Sequence, residues 1–366
     1  MKKRTFIIAE AGVNHNGSPA RAMDLVDAAA AAGADAVKFQ TFSAARLATR
    51  QAAKAAYQAE RTGEGGQYEM LKALELAPED FVALAGRCRE RGIEFMSTPF
   101  DEESLALLVG LGVARIKVGS GDATNAPLLL AAARTGLPVV LSTGMCALVE
   151  VRQALGVLAF GYLGLENPGR AAFREALLRE DGQAALREKV TLLHCTTSYP
   201  TPPEAVNLLA MDTLAGTFGL AAGYSDHTEG IVVSVAAAAR GAVMVEKHFT
   251  LDRSLPGPDH AASLEPGELA DLVAAVRLAD AALGEPGKAP ARAELGNLAV
   301  ARKSLVAAQP VAPGETLTSR NMTVKRPGSG LSPFLFWELE GRPATRGYEP
   351  DELLDLAEAP EEGETP

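Results

Sequence analysis

Cysteine is scarce in this chain. The three that occur, Cys88, Cys146 and Cys195 among 366 residues, lack the paired spacing of a disulfide framework or a zinc knuckle, so a reducing compartment is expected. An excess of positive charge is also missing: 35 Lys and Arg stand against 46 Asp and Glu, a formal charge of −11. That balance argues against nucleic acid or an acidic membrane as a partner, since the general surface would repel either. An anionic substrate is compatible with it where a pocket gathers Lys and Arg locally. Long apolar runs are absent too. No stretch approaches the ~20 residues of a membrane span, and the Ala-rich run from Ile231 is stopped by Arg240. The apolar run after Met1-Lys2-Lys3-Arg4 ends at Glu10, shorter than the roughly 7–15 residues of a signal-peptide core. A soluble cytoplasmic protein is the resulting expectation. No internal repeat is visible.

What is present is ordinary globular material, 47% hydrophobic and 22% charged, enough for a large core. Short apolar runs alternate with amphipathic Ala/Leu-rich segments. The strand candidates are Thr5–Ala9, Ala36–Gln40, Glu94–Thr98, Arg115–Val118, Pro138–Ser142, Val190–Cys195, Gly219–Tyr224 and Ala242–His248. Eight strand-helix units imply a parallel sheet clad in helices and favour closure into a (β/α)8 TIM barrel over residues 1–284. Residues 285–301 turn to Gly, Pro, Ala and charge and read as a linker. A small loop-rich module is expected over 302–357, its short strands broken by Pro313-Gly314 and Pro327-Gly328. The acidic tail, 358–366, is expected to be disordered. Two polar insertions, residues 43–77 and 161–187, are candidate lids over the barrel mouth.

Each strand candidate ends in polar or small residues, a pattern that marks the catalytic rim of a barrel rather than the single switch point of an open sheet. The sharpest instance is Tyr224-Ser225-Asp226-His227, matched by Glu246-Lys247-His248. Two imidazoles on neighbouring strand ends can share a divalent ion and leave positions for water and substrate. Asp226, beside His227 but on the opposite face of a strand, suits a supporting role as well as a ligand's. His15 and His194 are weaker metal candidates, and His260, in a Gly/Pro loop, reads as solvated. Lys38, Lys117, Ser97, Thr98, Ser120, Ser142 and Thr143 offer donors to a phosphate or carboxylate, and the Gly119-Ser120-Gly121 and Ser142-Thr143-Gly144 turns can add backbone N–H groups. Lys117 is alternatively placed for a Schiff base. Both chemistries act on a carbonyl; they differ in sensitivity to chelators.

Taken together, the motifs Ala9-Glu10-Ala11-Gly12-Val13-Asn14-His15, Val37-Lys38-Phe39-Gln40-Thr41, Ser97-Thr98-Pro99-Phe100, Lys117-Val118-Gly119-Ser120-Gly121-Asp122, Leu141-Ser142-Thr143-Gly144-Met145, His194-Cys195-Thr196-Thr197-Ser198-Tyr199-Pro200, and the two histidine runs resemble the sialic acid (N-acetylneuraminate) synthase family. They span the barrel in order. Val324-Lys325-Arg326-Pro327-Gly328-Ser329-Gly330 is similar to the signature of that family's C-terminal antifreeze-like SAF domain, a β-clip module.

The resemblance implies condensation of phosphoenolpyruvate with an open-chain N-acylated amino sugar, giving a nonulosonic acid and phosphate. It implies a divalent ion on His227 and His248, Mn2+ first and Mg2+ or Co2+ next. Phosphoenolpyruvate falls to Lys38, Thr98, Lys117, Ser120, Ser142, Thr197 and Ser225, and the sugar to Glu10, Gln40, Tyr199, Asp259 and Arg326. Glu10, Lys117, Asp122, His227 and His248 would take the catalytic roles. It also implies a homodimer whose small domains exchange between subunits. Asp122 stands where some members have Glu, which leaves the acid-base assignment open, and Thr197 stands where some have Asn, which adjusts only an anion hydrogen bond. Tyr199-Pro200-Thr201-Pro202 and Gly257-Pro258-Asp259-His260 favour N-acetylmannosamine as the sugar, with a legionaminic or pseudaminic acid precursor as the alternative. More remote readings are a Schiff-base aldolase using Lys117 and a nonenzymatic carbohydrate-binding protein.

Overall fold

The structure, a computed structural model, describes residues 4–356; the acidic tail and residue 357 lie outside the described residues. Eight parallel strands carry the larger part of the chain: β1 (Phe6–Gly12), β2 (Ala36–Thr41), β3 (Glu94–Pro99), β4 (Ile116–Val118), β5 (Val139–Ser142), β6 (Val190–His194), β7 (Ala221–Asp226) and β8 (Met244–His248). Their ladder order is β3-β2-β1-β8-β7-β6-β5-β4, and β3 and β4 at its two ends lie side by side. The sheet is therefore a nearly closed TIM-type barrel. The chain divides into two compact units, Met1–Gly284 and Glu285–Pro366.

Strand alternation sorts the side chains into layers. Outward positions such as Ile7, Val37, Phe39, Val139 and Val245 join the helices in the main apolar core. Inward, Ile8, Ala36, Met96, Val140, Leu193 and Met244 form a separate apolar plug. Two residues further along the same strands, the inward set becomes Glu10, Lys38, Thr98, Ser142 and Glu246, all buried. A dry floor thus lies directly beneath a polar layer at the strands' C-terminal ends. Gly223 is required on the inward face of β7: a Cβ there would come within 2.4 Å of the Met244 carbonyl and 2.7 Å of the Leu193 side chain.

Some boundaries differ from those read in the sequence. Gly219 caps the preceding helix in the left-handed region, at φ 65°, so β7 starts at Ala221 and runs on to Asp226; ladder pairing with β8 through Ser225 and Asp226 keeps these polar residues in the strand. Insertion 43–77 contains three short helices, Ala44–Leu47, Ala56–Thr62 and Gln67–Leu74. Insertion 161–187 forms helices Arg170–Leu178 and Glu180–Lys189, which pack on the outer helix Leu148–Tyr162 with Phe160 and Phe173 edge to face. The latter is cladding rather than a lid.

The second unit pairs β9 (Ser304–Ala307) antiparallel with β10 (Met322–Lys325) around a core that includes Leu305, Val311, Met322 and Tyr348. Before it, residues 285–301 include the short helix Leu295–Ala301. No helix among the described residues is long and apolar enough to cross a membrane.

Candidate active site

The polar layer is built around two lysines and two carboxylates. Register places Glu10 beside both Lys38 and His248, and the Lys38 Nζ lies 2.7 Å from Glu10 Oε2 and 3.8 Å from Glu246 Oε2. Lys38 also donates to Thr98 Oγ1 at 3.1 Å. Lys117 donates to Ser142 Oγ at 2.8 Å and stands 3.7 Å from Glu246 Oε1, which accepts from Ser225 Oγ at 3.1 Å. Glu246 therefore bridges the two lysines. The sequence offered it only as the acid of the Glu246-Lys247-His248 run, one among several acids along the chain; its inward register on β8 is what singles it out.

Burial and the opposite charges nearby compete at each of these four groups. It lowers Lys117, with Glu246 pulling the other way. Burial also works to lower Lys38, but Glu10 and Glu246 together outweigh it and leave Lys38 raised. For Glu246 the effect of burial is outweighed by the two lysines, and the group is lowered. Glu10 is pushed up to about 7, mainly by burial and secondarily by Glu246, against the pull of Lys38. A carboxyl so placed changes protonation near neutral pH, as a general acid or base must.

A second constellation adjoins the first. His227 Nδ1 donates to the Thr196 carbonyl at 2.7 Å, which fixes its tautomer and leaves the Nε2 lone pair available. His248 Nδ1 is buried with no hydrogen-bond partner, and the two ring centroids are 5.5 Å apart. Burial lowers both imidazoles, favouring the neutral, ligating form. Among the described residues no group of three or more His, Cys, Asp or Glu is arranged to hold a metal. The free Nε2 lone pair of His227 and the unpartnered Nδ1 of His248 are the donors that could hold an ion here, with water or substrate needed to complete its shell. The Tyr199 ring lies 4.2 Å from that of His227, and Asp259 Oδ2 is 3.9 Å from His248 Nδ1, its carboxyl pushed up to about 6 by burial.

Behind the histidines, on the outward face of the barrel, Asp226 meets the fully buried Lys247 at 3.1 Å. Asp226 also accepts from the Thr228 N–H at 2.8 Å and Ser234 Oγ at 2.6 Å, and Lys247 donates to the Thr228 carbonyl. The pair ties the backbone on both sides of His227 to the strand carrying His248, so Asp226 is a brace rather than a ligand.

Two other sequence candidates, Ser120 and Thr197, meet Cys195 around Gly144. Its N–H donates to Ser120 Oγ at 3.0 Å, Ser120 contacts Cys195 Sγ at 3.0 Å, and a Cβ on Gly144 would lie 2.5 Å from Thr197 Oγ1. Gln40 donates to Glu10 at 3.3 Å. Asp122 sits apart in the 3-10 turn after β4, where Asn125 donates to it at 2.9 Å, and none of its bonds reaches the lysines or histidines. Arg326 belongs to the second unit, where it donates to the Ala301 carbonyl at 3.1 Å. His260 is a correction: it is completely buried, bonded to Thr250 Oγ1 at 2.6 Å and Asn16 Oδ1 at 3.1 Å, because the loop folds back on the turn after β1.

A sequence model of the NeuB family matches residues 25–288 of this chain. The chain belongs to the NeuB family. A SAF-domain model matches residues 302–358, consistent with the resemblance seen in the motifs. Among its NeuB-family relatives, the N,N'-diacetyllegionaminic acid synthase of Legionella pneumophila is 46% identical over 90% of this chain and 87% of its own. The protein of the same name from Campylobacter jejuni is 43% identical over 96% and 99%. Among solved structures, the N-acetylneuraminic acid synthetase of Leptospira borgpetersenii, in complex with citrate, superposes with a TM-score of 0.65 at 34% identity, covering 80% of this chain and 90% of that one.

Proposed function

We propose that the barrel condenses phosphoenolpyruvate with an open-chain N-acylated amino sugar to give a nonulosonic acid and inorganic phosphate. The observation that carries this reading is the buried Lys38-Glu246-Lys117 arrangement beside two neutral imidazoles. A protein that only bound sugar would need neither. Lys38 and Lys117 offer charge to the phosphate and carboxylate, while Ser120, Ser142, Thr98 and Thr197 add hydroxyl groups. Glu10 and Tyr199 face the sugar. C3 of phosphoenolpyruvate forms the new bond to the sugar's aldehyde carbon, water adds at C2, and phosphate leaves with cleavage of the C–O bond. Glu10, near 7, is the group suited to hold or release the proton this exchange requires. A divalent ion on His227 and His248, Mn2+ before Mg2+ or Co2+, would polarise the aldehyde as a Lewis acid.

The relatives at 43% and 46% identity favour a di-N-acetylated deoxy sugar over N-acetylmannosamine. The same proposal includes action in the cytoplasm as a homodimer, with Arg326 supplied to the sugar of a partner subunit. One observation supports a second chemistry: the lowered pKa of Lys117 suits an amine nucleophile. Phosphate release from phosphoenolpyruvate is measured with each sugar, before and after EDTA treatment and with Mn2+ restored. Release that needs both sugar and ion supports the synthase. Activity that survives EDTA and is trapped by borohydride supports the imine, and release with no amino sugar at all overturns the assignment.

A further inference from the structure

The insertion that follows β2 is anchored rather than loose. Met70 and Leu74 from its last helix join Val13 and Phe42, from the segments after β1 and β2, in a small core of their own. The Gln67 N–H donates to the Ala52 carbonyl at 3.1 Å, closing the excursion at its base. Lys54 donates to the carbonyls of Gly63 and Glu64 at 3.1 and 3.2 Å, and Thr62 bonds back to the Gln58 carbonyl. These contacts set the position of the residue between them, Arg61.

Arg61 reaches across the barrel mouth. Its Nη1 donates to the Pro258 carbonyl at 3.0 Å and its Nη2 to the Tyr199 carbonyl at 3.4 Å. These belong to the loops after β8 and β6, so the side chain joins both to the insertion after β2. Tyr199 and Asp259 are two of the five residues assigned above to the sugar, and Arg61 bonds to the backbone of one and of the other's neighbour. It also acts on the buried Asp259 carboxyl, which its charge works to lower. Two of the guanidinium's five N–H groups are given to these carbonyls, and among the described residues the other three have no hydrogen-bond acceptor.

An N-acylated sugar presents amide carbonyl oxygens, which must find donors when desolvated. Lys38 and Lys117 lie deep in the polar layer among its carboxylates and hydroxyls and are assigned above to phosphoenolpyruvate, not to the sugar. We propose that Arg61 is a specificity-determining residue of the amino-sugar subsite and donates to an N-acyl carbonyl of the substrate. The inference rests on the sugar-condensing reading of the barrel, and its test separates the two.

Phosphate release is measured for the full chain and for R61A and R61K, varying separately phosphoenolpyruvate, the best N-acylated amino sugar, and the analogue with hydroxyl in place of the acylamino group. The KM for the acylated sugar is expected to rise roughly 10–100-fold in R61A, the range for a lost charge-assisted hydrogen bond, with the KM for phosphoenolpyruvate within about twofold. The preference for acylated sugar over hydroxyl analogue should collapse by the same factor. R61K, which keeps the charge but loses the fork, should recover only part of it. Equal losses on both substrates, or an unchanged preference, would show a strut alone and overturn the proposal. If the wild-type enzyme releases phosphate with no amino sugar, the parent reading fails instead.

Discussion

Glu246→Gln removes one negative charge from a site where it faces two positive ones. The carboxylate lies 3.7 Å from Lys117 and 3.8 Å from Lys38. At an effective dielectric of ~20, each attraction is worth about 4 kcal/mol. Glutamine keeps the shape and can still accept from Ser225, but the attraction goes, offset by relief of the carboxylate's own desolvation. The two lysines fare differently. Lys38 retains Glu10 at 2.7 Å, whereas Lys117 keeps only the Ser142 hydroxyl and the Val118 carbonyl. Breaking a buried pair from one side commonly costs about 3–5 kcal/mol, and that is the expected loss by urea unfolding at pH 7. Lys117, already lowered by burial, should fall further, so affinity for phosphoenolpyruvate should fade at a lower pH than in the wild type. Added inorganic phosphate should restore part of the stability by charging the lysine again. A loss under ~0.5 kcal/mol, the range of an indifferent surface change, would refute the view that Glu246 holds the two ammonium groups in the barrel.

Mn2+ titration followed by electron paramagnetic resonance should show binding abolished in H227A and weakened about 10–100-fold in D226N, the usual effect of removing a group that orients a ligand; equal affinity in D226N would make the Asp226–Lys247 pair purely structural. Gly144→Ala should fill the turn between Ser120, Thr197 and Cys195, whose atoms lie 2.5–2.9 Å from the new Cβ; kinetics should show phosphoenolpyruvate binding weakened by tenfold or more, ~1.4 kcal/mol, and an unaltered KM would remove the turn from the anion site. Glu10 gives a pH signature with a definite sign. Its pKa is raised from 4.5 to about 7 on folding, so the folded state binds the extra proton between those values and stability falls as pH rises through them, by roughly 3 kcal/mol at most. Urea midpoints at pH 5 and pH 8 should differ less in E10Q than in wild type, and an identical difference would show that Glu10 does not carry it.

The barrel was legible because its signals are local. Runs such as Ala36–Gln40 and Val190–Cys195, each followed by a helical pattern, repeat eight times, and polar strand ends are the mark of a ligand-facing rim. Lys38, Lys117, His227 and His248 were recognisable for the same reason, each standing at a strand end. Glu246 and Arg61 were not singled out. The first looks like any acid in an EKH run until strand register turns it inward. The second lies in an excursion whose contacts, with Pro258 and Tyr199, are 197 and 138 residues away in the chain. His260 misled because Gly and Pro around it suggest exposure, whereas Asn16 and Thr250 enclose it.

By itself the sequence determined the periodicities, the strand ends and the identities of the reactive side chains, since backbone preference and alternation act over a few residues. Only the tertiary structure decided which charges meet. Closing the sheet brings β1, β2, β4 and β8 together so that Glu10, Lys38, Lys117 and Glu246 share one buried layer, where low dielectric and a few ångströms of separation, rather than residue type, fix their protonation.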